Sequence, residues 1–129
     1  MKSLGRHLLI EYYGCDPKIL TNIGSIEDIL VEAAKRAHAH IVDVVFHTFS
    51  PHGVSGVVVL EESHLAIHTW PEHGFASVDI YTCGGSVNPW LAYKHIFKSI
   101  KAKHSTAMEM KRGVLDIQRG AKQKLLIPA

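Results

Sequence analysis

A short segment near the middle of the chain, residues 60–74 (LEESHLAIHTWPEHG), concentrates side chains that can do chemistry. It follows the apolar run VSGVVV, a pattern typical of a buried strand. Glu62 and Ser63 place a carboxylate beside a hydroxyl, and three histidines follow. Imidazole changes its charge near neutral pH and is the commonest metal ligand. The segment is therefore compatible with a metal site, a hydrolytic nucleophile or a self-modifying peptide bond.

A metal site would have to use the histidines of this segment. His64, His68 and His73 are spaced four and five residues apart, and an even spacing puts the first two on the same side of a strand. The chain contains neither an HExxH nor a CxxC pattern. We therefore expect no metal. We expect the histidines other than His68 to be surface or hydrogen-bonded residues: His7, His38, His40, His47, His52, His64, His73, His95 and His104.

A hydrolytic nucleophile would need a serine or thiol beside a base. Ser63, His68 and Cys83 could converge, because adjacent antiparallel strands bring distant positions together. The GxSxG motif of serine hydrolases is absent, and the nearest glycines flank Ser55 as GVSG. The sequence gives this possibility little support.

The third possibility uses the Glu62–Ser63 peptide bond itself. A serine hydroxyl can attack the preceding carbonyl and turn the peptide into an ester, if a neighbour stabilises the oxyanion. Removal of the Ser63 α-proton would expel the ester oxygen, and hydrolysis of the resulting dehydroalanine would leave a pyruvoyl group. Such a ketone condenses with an amine substrate as a Schiff base and acts as an electron sink. The chain supplies the serine, a nearby histidine and a proton donor for this chemistry.

The elements that must position these residues can be predicted from periodicity and turn residues. Two helices are predicted at 25–39, where Ser25 and Asp28 resemble a capping box, and at 88–104, where Asn88 is the N-cap and Pro89 the first helical residue. Six strands are predicted at 6–14, 40–51, 52–62, 64–71, 74–85 and 105–114. The tail beyond Leu115 has no assignable element.

The order β-α-β-β-β-β-α-β predicts an α+β fold with a largely antiparallel sheet and two helices on one face. The strands at 52–62 and 64–71 are also apolar on their second face, so we expect that face to pack on a second copy of the chain. The expected assembly is an αββα sandwich, a homodimer that shares two active sites.

The composition excludes several classes of protein. The 129 residues suit a single domain spanning 1–129, and 47% of them are hydrophobic. The net charge of +2 does not indicate a nucleic-acid partner, and no apolar run has the length of a membrane span. The two cysteines, Cys15 and Cys83, are expected to be free thiols. We expect a cytoplasmic protein.

The longer segment GVSGVVVLEESHLAIHTWPEHGFASVDIYTCG resembles the core of the prokaryotic S-adenosylmethionine decarboxylases, pyruvoyl enzymes of spermidine synthesis. The N-terminus, MKSLGRHLLIEYYGCD, is similar to theirs, and the resemblance extends from residue 1 to about 104. The combination of ESHLxIHTWPE with a following TCG is far more specific than a lone triad. The segment MKRGVLDIQRG, after the second helix, resembles the family only loosely.

The resemblance implies roles for matching residues. Ser63 becomes the pyruvoyl group after cleavage between Glu62 and Ser63, giving a β chain of 1–62 and an α chain of 63–129. His68 removes the Ser63 α-proton during processing, with Ser55 supporting the oxyanion. Cys83 donates the proton that completes decarboxylation of S-adenosylmethionine to the aminopropyl donor.

The same resemblance implies a substrate-binding role for Glu72, which would hold the ribose hydroxyls, and for Phe49, which would stack on the adenine. Cation–π attraction to the sulfonium adds further aromatic candidates: Tyr12, Tyr13, Phe49 and Trp70. Two alternatives remain at this point. One is a pyruvoyl-dependent arginine decarboxylase of the same fold, and the other is a non-catalytic dimeric α+β binding domain that keeps Ser63 uncut.

Overall fold

The computed structural model describes residues 3–49 and 51–115, which form a six-stranded sheet with helices on one face. The elements in chain order are β1 Gly5–Tyr13, α1 Pro17–Leu20, α2 Ile23–Arg36, β2 Ile41–Thr48, β3 Val54–Leu60, β4 Ser63–Trp70, a 3₁₀ turn Pro71–His73, β5 Phe75–Cys83, α3 Pro89–Ser99 and β6 His104–Arg112. The strand order is β2-β3-β4-β5-β1-β6, and every neighbouring pair is antiparallel. The predicted α+β fold is confirmed, and the tail beyond residue 115 lies outside the described residues.

Both predicted helices are present, but most of their ends lie at residues other than those predicted. The N-cap of α2 is Asn22, whose side chain accepts a hydrogen bond from the Ser25 N–H, so the predicted cap at Ser25 is wrong. Asn88 and Pro89 begin α3 as predicted. The four-residue α1 and the 3₁₀ turn were not predicted, because one helical turn is too short to show periodicity. No described helix combines the length and the apolarity needed to cross a membrane.

The core lies between the helices and one face of the sheet. Alternate residues of each central strand point to this side, as the twofold period of a strand requires. Fully buried side chains from strands and helices meet there, among them Leu8, Ile10, Tyr12, Leu65, Ile67, Ile80, Ile26, Leu30 and Ile96. Burying each large apolar side chain contributes roughly 1.5–3 kcal/mol, so this layer holds the sheet in one register.

A buried threonine joins the core to the end of β4. The Thr69 hydroxyl accepts a hydrogen bond of 2.9 Å from the Val54 N–H and donates one of 2.9 Å to the Leu20 carbonyl. It therefore fixes α1 to the neighbouring ends of β3 and β4, and all of its polar atoms are paired.

The opposite face of the sheet, called the open face below, carries no described helix. The register aligns one residue of every strand across it in a row: Val45, Val57, Ala66, Asp79, Leu9 and Met108. Val45, Leu9 and Met108 are 43%, 41% and 62% exposed. This band is apolar except for Asp79 at its centre, in partial agreement with the predicted apolar second face.

We predict that Gly56→Ala lowers the free energy of unfolding by about 1–3 kcal/mol, because overpacking a core costs about that much. Gly56 faces Phe46 across the β2–β3 ladder, and a Cβ built on it would overlap the Phe46 ring. Urea unfolding monitored by circular dichroism measures the change. Gly85→Ala is the matched control, because nothing lies within 4 Å of its added Cβ. Equal stabilities for the two variants would contradict the prediction.

Candidate active site

The Glu62–Ser63 bond lies at a distorted hairpin between β3 and β4. The predicted strands at 52–62 and 64–71 are separated by a turn at Glu61 and Glu62, with Leu60 paired to Ser63. Two-residue hairpin turns usually place glycine or asparagine at positive φ. Here neither glutamate has a positive φ, and Ser63 takes a φ of 144° instead. A non-glycine residue in such a conformation stores strain of order 1–3 kcal/mol.

The carbonyl oxygen of this bond already accepts a hydrogen bond. The backbone N–H of Cys83 donates to the Glu62 carbonyl oxygen at 2.9 Å. The bond forms because β4 and β5 pair Ser63 with Thr82, which puts the next residue of β5 beside the turn. An N–H aimed at a carbonyl oxygen stabilises the negative charge that develops when a nucleophile adds to the carbon. We call Glu62, Ser63, Thr82 and Cys83 the hairpin cluster.

His40 holds the side chain of the residue before the bond. The Glu62 carboxylate accepts hydrogen bonds from the His40 backbone N–H at 3.0 Å and contacts its ring Nδ1 at 2.7 Å. These contacts lower the pKa of Glu62 below its ordinary value. Hydrogen bonding to Glu62 and the charges of Glu62 and Glu61 raise the pKa of His40. We call this pair the His40–Glu62 clamp, which sequence analysis missed because the two residues are far apart along the chain.

A second group of predicted residues lines a groove on the open face, at the end of the sheet opposite the hairpin. This groove, of about 310 Å³, brings together Phe49, Ser55, His68, Trp70 and Glu72. Ser55 and His68 are paired across β3 and β4, and Ser55 Oγ lies 2.7 Å from His68 Nδ1. The sequence therefore identified a set of residues that the fold does place together.

The groove and the hairpin cluster are not the same place in one protomer. Ser63 pairs with Thr82, whereas His68 pairs with Ser77, five residues away along β5. At about 3.4 Å per residue, the two positions are separated by about 17 Å. The possible convergence of Ser63, His68 and Cys83 does not occur within one chain, since the ladder register holds His68 away from the other two.

The aromatic candidates divide between the open face and the core. Tyr13 and Trp70 are about two-fifths exposed, and both rings pack on Phe75, with centroids 5.3 and 5.4 Å away. Tyr12 is fully buried on the helix side, where its hydroxyl donates to the Tyr93 carbonyl. Its ring cannot reach a ligand on the open face, so its predicted substrate contact is wrong: strand alternation sends neighbouring tyrosines to opposite faces.

A polar network on the open face includes His64, the residue that follows Ser63. Asp79 Oδ2 lies 2.7 Å from His64 Nε2 and 3.0 Å from His7 Nε2. Arg112 lies 2.8 Å from His7 Nδ1 and can only donate, so His7 carries its proton on Nε2 and donates to Asp79. His7, His64 and Asp79 are close enough together to hold a metal ion, but this tautomer turns a proton toward that position. Both histidines are hydrogen-bonded, as predicted.

The described fold and site define a class of protein: an antiparallel α+β domain with one helix-covered face, one open face, and a strained serine beside a carbonyl that already has a donor. The family model for S-adenosylmethionine decarboxylase matches residues 6–113. The chain belongs to this family.

Individual relatives are similar along most of their lengths. A protein of Acetivibrio thermocellus named S-adenosylmethionine decarboxylase proenzyme is 60% identical over 90% of this chain and 94% of its own. One of the same name from Pelotomaculum thermopropionicum is 58% identical over 89% and 91%. The crystal structure of the adenosylmethionine decarboxylase from Aquifex aeolicus superposes with a TM-score of 0.83 at 38% identity, covering 88% of this chain and 94% of that one.

We predict that the His40–Glu62 clamp stabilises the hairpin in a defined pH window. Because the pKa of His40 is raised, its contribution is full below the unfolded histidine pKa of about 6.5 and is lost as pH rises through the higher folded value. Because the pKa of Glu62 is lowered, its contribution is full above about pH 4.3 and is lost as pH falls through the lower folded value. The destabilisation caused by His40→Ala should therefore be greatest between about pH 4.3 and 6.5.

Urea unfolding at several pH values tests this prediction, with Ser63→Ala present throughout so that the chain stays intact. Adding Glu62→Gln is the control, since His40→Ala should then have a smaller effect that no longer follows this window. A His40→Ala effect that is the same at pH 5.5 and pH 9 would show that the clamp carries no charge interaction.

Proposed function

We propose that the chain is a proenzyme that cleaves itself between Glu62 and Ser63 and then decarboxylates S-adenosylmethionine to the aminopropyl donor for spermidine synthesis. The products of cleavage are a β chain of 1–62 and an α chain of 63–129. The observation that carries the proposal is the strained Ser63 next to a carbonyl that accepts the Cys83 N–H. The proenzyme names of relatives that share most of this chain support it.

Self-cleavage begins with the Ser63 hydroxyl. Its oxygen adds to the Glu62 carbonyl carbon, the C–N bond breaks, and the hydroxyl proton ends on the freed nitrogen, so the peptide becomes an ester. The Cys83 N–H stabilises the oxyanion, and donors of this kind each contribute roughly 10²–10³ in rate. Strain at Ser63 adds to the driving force, because it is released when the bond to nitrogen breaks.

The second part of self-cleavage is an elimination. A base removes the Ser63 α-proton, the ester oxygen leaves as the new carboxylate of Glu62, and a dehydroalanine remains. Water then converts it to a pyruvoyl group and releases ammonia. His68 is the proposed base, and its 2.7 Å contact with Ser55 would orient the imidazole.

The hairpin cluster fits a pyruvoyl group at position 63. The site is at the edge of a turn, and Cys83 beside it is exposed, so a substrate can reach this end of the hairpin. The group supplies an electron sink for the carbanion left when carbon dioxide departs. The Cys83 thiol then donates the proton that replaces the lost carboxylate.

The groove residues are proposed to bind the nucleoside part of the substrate. Phe49 is 53% exposed at the groove and is free to stack on adenine. Glu72, which lies 3.5 Å from His52, offers carboxylate oxygens to the ribose hydroxyls. Trp70 and Tyr13 present aromatic faces suited to the positively charged sulfonium.

A homodimer is proposed to bring the groove and the hairpin cluster together. A single protomer holds Ser63 and His68 about 17 Å apart along the sheet. A twofold axis through the middle of the open face would exchange the two ends of the sheet, so the groove of one protomer would lie beside the hairpin and Cys83 of its partner. The exposed apolar band formed by Leu9, Val45 and Met108 would be buried between the two sheets.

We predict that Ser63→Ala abolishes both chain cleavage and decarboxylation, because alanine has no hydroxyl for the acyl shift. The masses of the denatured chains report cleavage, and release of labelled carbon dioxide from carboxyl-labelled S-adenosylmethionine reports activity. Cys83→Ala is the matched control. It keeps the backbone N–H on Glu62, so it should still cleave, but its decarboxylation should fall about 10²–10⁴-fold.

Several outcomes would overturn the proposed function. One is a wild-type chain that remains intact, and another is activity in uncut Ser63→Ala. Release of carbon dioxide from arginine but not from S-adenosylmethionine would show that the substrate is wrong while the cleavage chemistry is right.

We predict that co-expressed Ser63→Ala and His68→Ala protomers complement each other, although each variant alone is inactive. In a mixed dimer the site formed by Ser63 of one protomer and His68 of its partner is intact, whereas the other site lacks both residues. Random pairing should therefore restore about a quarter of the wild-type sites. Distinct affinity tags isolate the mixed dimers for the carbon dioxide assay. Failure of isolated mixed dimers to cleave or decarboxylate would rule out the shared site.

A further inference from the structure

We infer that Thr82 is a positioning residue for self-cleavage, whose hydroxyl orients the attacking Ser63 oxygen. This inference rests on the proposed function, since it concerns the rate at which the Glu62–Ser63 bond rearranges. Thr82 is 1% exposed. Within residues 3–49 and 51–115, its Oγ1 is the single buried side-chain nitrogen or oxygen without a hydrogen-bond partner.

An unpaired buried hydroxyl is costly and uncommon. Buried polar groups nearly always have partners, and leaving one without a hydrogen bond costs roughly 1–3 kcal/mol. Thr69, the other buried threonine of the described sheet, obeys this rule with two hydrogen bonds. The Thr82 hydroxyl is therefore an exception that packing of the uncleaved chain does not explain.

The location of Thr82 indicates which group could complete its hydrogen bonding. It is the direct partner of Ser63 in the β4–β5 ladder, and directly opposed residues project their side chains to the same face with Cβ atoms about 4.5–5.5 Å apart. Both positions lie on the helix side of the sheet, because Ser63 is two residues from buried Leu65 and Thr82 is two residues from buried Ile80. The nearest reactive group across the ladder is thus the Ser63 hydroxyl.

The next residue of the same strand acts on the other reacting atom. The Cys83 N–H holds the Glu62 carbonyl oxygen at 2.9 Å, and Thr82 lies opposite the nucleophile. Two consecutive residues of β5 would therefore position the two partners of one reaction, the carbonyl through the backbone and the serine through a side chain. Placing reacting atoms correctly contributes a large share of the rate of an intramolecular step.

The hydroxyl of Thr82 would act as an acceptor during the acyl shift. When the Ser63 side chain turns toward the Glu62 carbonyl carbon, its O–H donates to Thr82 Oγ1, which directs an oxygen lone pair at the carbon. The Oγ–C bond forms, the C–N bond breaks, and the serine proton ends on the freed nitrogen. No atom is gained or lost, and Thr82 is unchanged. The Thr82 hydroxyl, which has no partner in the resting chain, would therefore have a hydrogen-bond partner during the reaction.

Two isosteric pairs of variants test the inference: Thr82 against Thr82→Val, and Thr82→Ser against Thr82→Ala. Within each pair only a hydroxyl is exchanged or removed, so packing losses are matched. Cell-free synthesis followed by a timed chase measures the conversion of intact chain to fragments, and added hydroxylamine cleaves any ester that has formed. We expect the hydroxyl-free member of each pair to cleave about 10- to 100-fold more slowly, with or without hydroxylamine.

Thermal stability distinguishes a role in the reaction from a purely structural role, because removing a hydroxyl with a structural role would lower the melting temperature. Thr82→Val removes an unpaired buried hydroxyl, so its melting temperature in the Ser63→Ala background should be equal to or higher than that of the parent. Thr69→Val removes a hydroxyl with two hydrogen bonds and should lower the melting temperature. Slower cleavage in a variant that is no less stable assigns the hydroxyl to the reaction.

The possible failures are distinguishable. If the wild-type chain does not cleave, the proposed function fails and the role of Thr82 fails with it. If the wild-type chain cleaves and both pairs show equal rates, self-cleavage stands and the inference about Thr82 is overturned. Slow cleavage that hydroxylamine restores would also overturn it, because the ester would then have formed normally.

Discussion

The antiparallel register between β4 and β5 is the constraint on which the rest of the site depends. It pairs Ser63 with Thr82, and it thereby brings the Cys83 N–H to the Glu62 carbonyl. A slip of one residue would turn Ser63 to the other face and remove the donor from the carbonyl. Large buried side chains such as Leu65 and Ile80 oppose that slip, because it would move them from the core to the open face. Core packing therefore sets the geometry around the Glu62–Ser63 bond.

The hairpin combines features that each reduce stability. Ser63 has a positive φ, which a serine adopts at a cost of order 1–3 kcal/mol, and the Thr82 hydroxyl is buried without a partner. The surrounding sheet and the His40–Glu62 clamp hold the hairpin in place despite these costs. Such an arrangement suits the proposed cleavage of the Glu62–Ser63 bond, because strain held in the folded chain would be released when the bond breaks.

The two ends of the sheet hold different parts of the proposed catalytic site. One end of the sheet carries the hairpin cluster, and the open face at the other end carries the groove lined by Phe49, Ser55 and His68. Between them lies the band of exposed apolar side chains that a second copy is proposed to cover. The same band would then serve both assembly and catalysis, since pairing the two faces would bury apolar surface and juxtapose the two ends.

Local patterns in the sequence were sufficient to predict the six strands and the start of α3 at Asn88. They also singled out the segment around Ser63 as a place where chemistry could occur. These features depend on residues close together along the chain, where periodicity and capping preferences act. Only the tertiary structure decided that Tyr12 belongs to the core, that His68 lies at the opposite end of the sheet from Ser63, and that Thr82 faces that serine without a partner. Each of these depends on which strands pair and in which register, and core packing over the whole sheet selects that register.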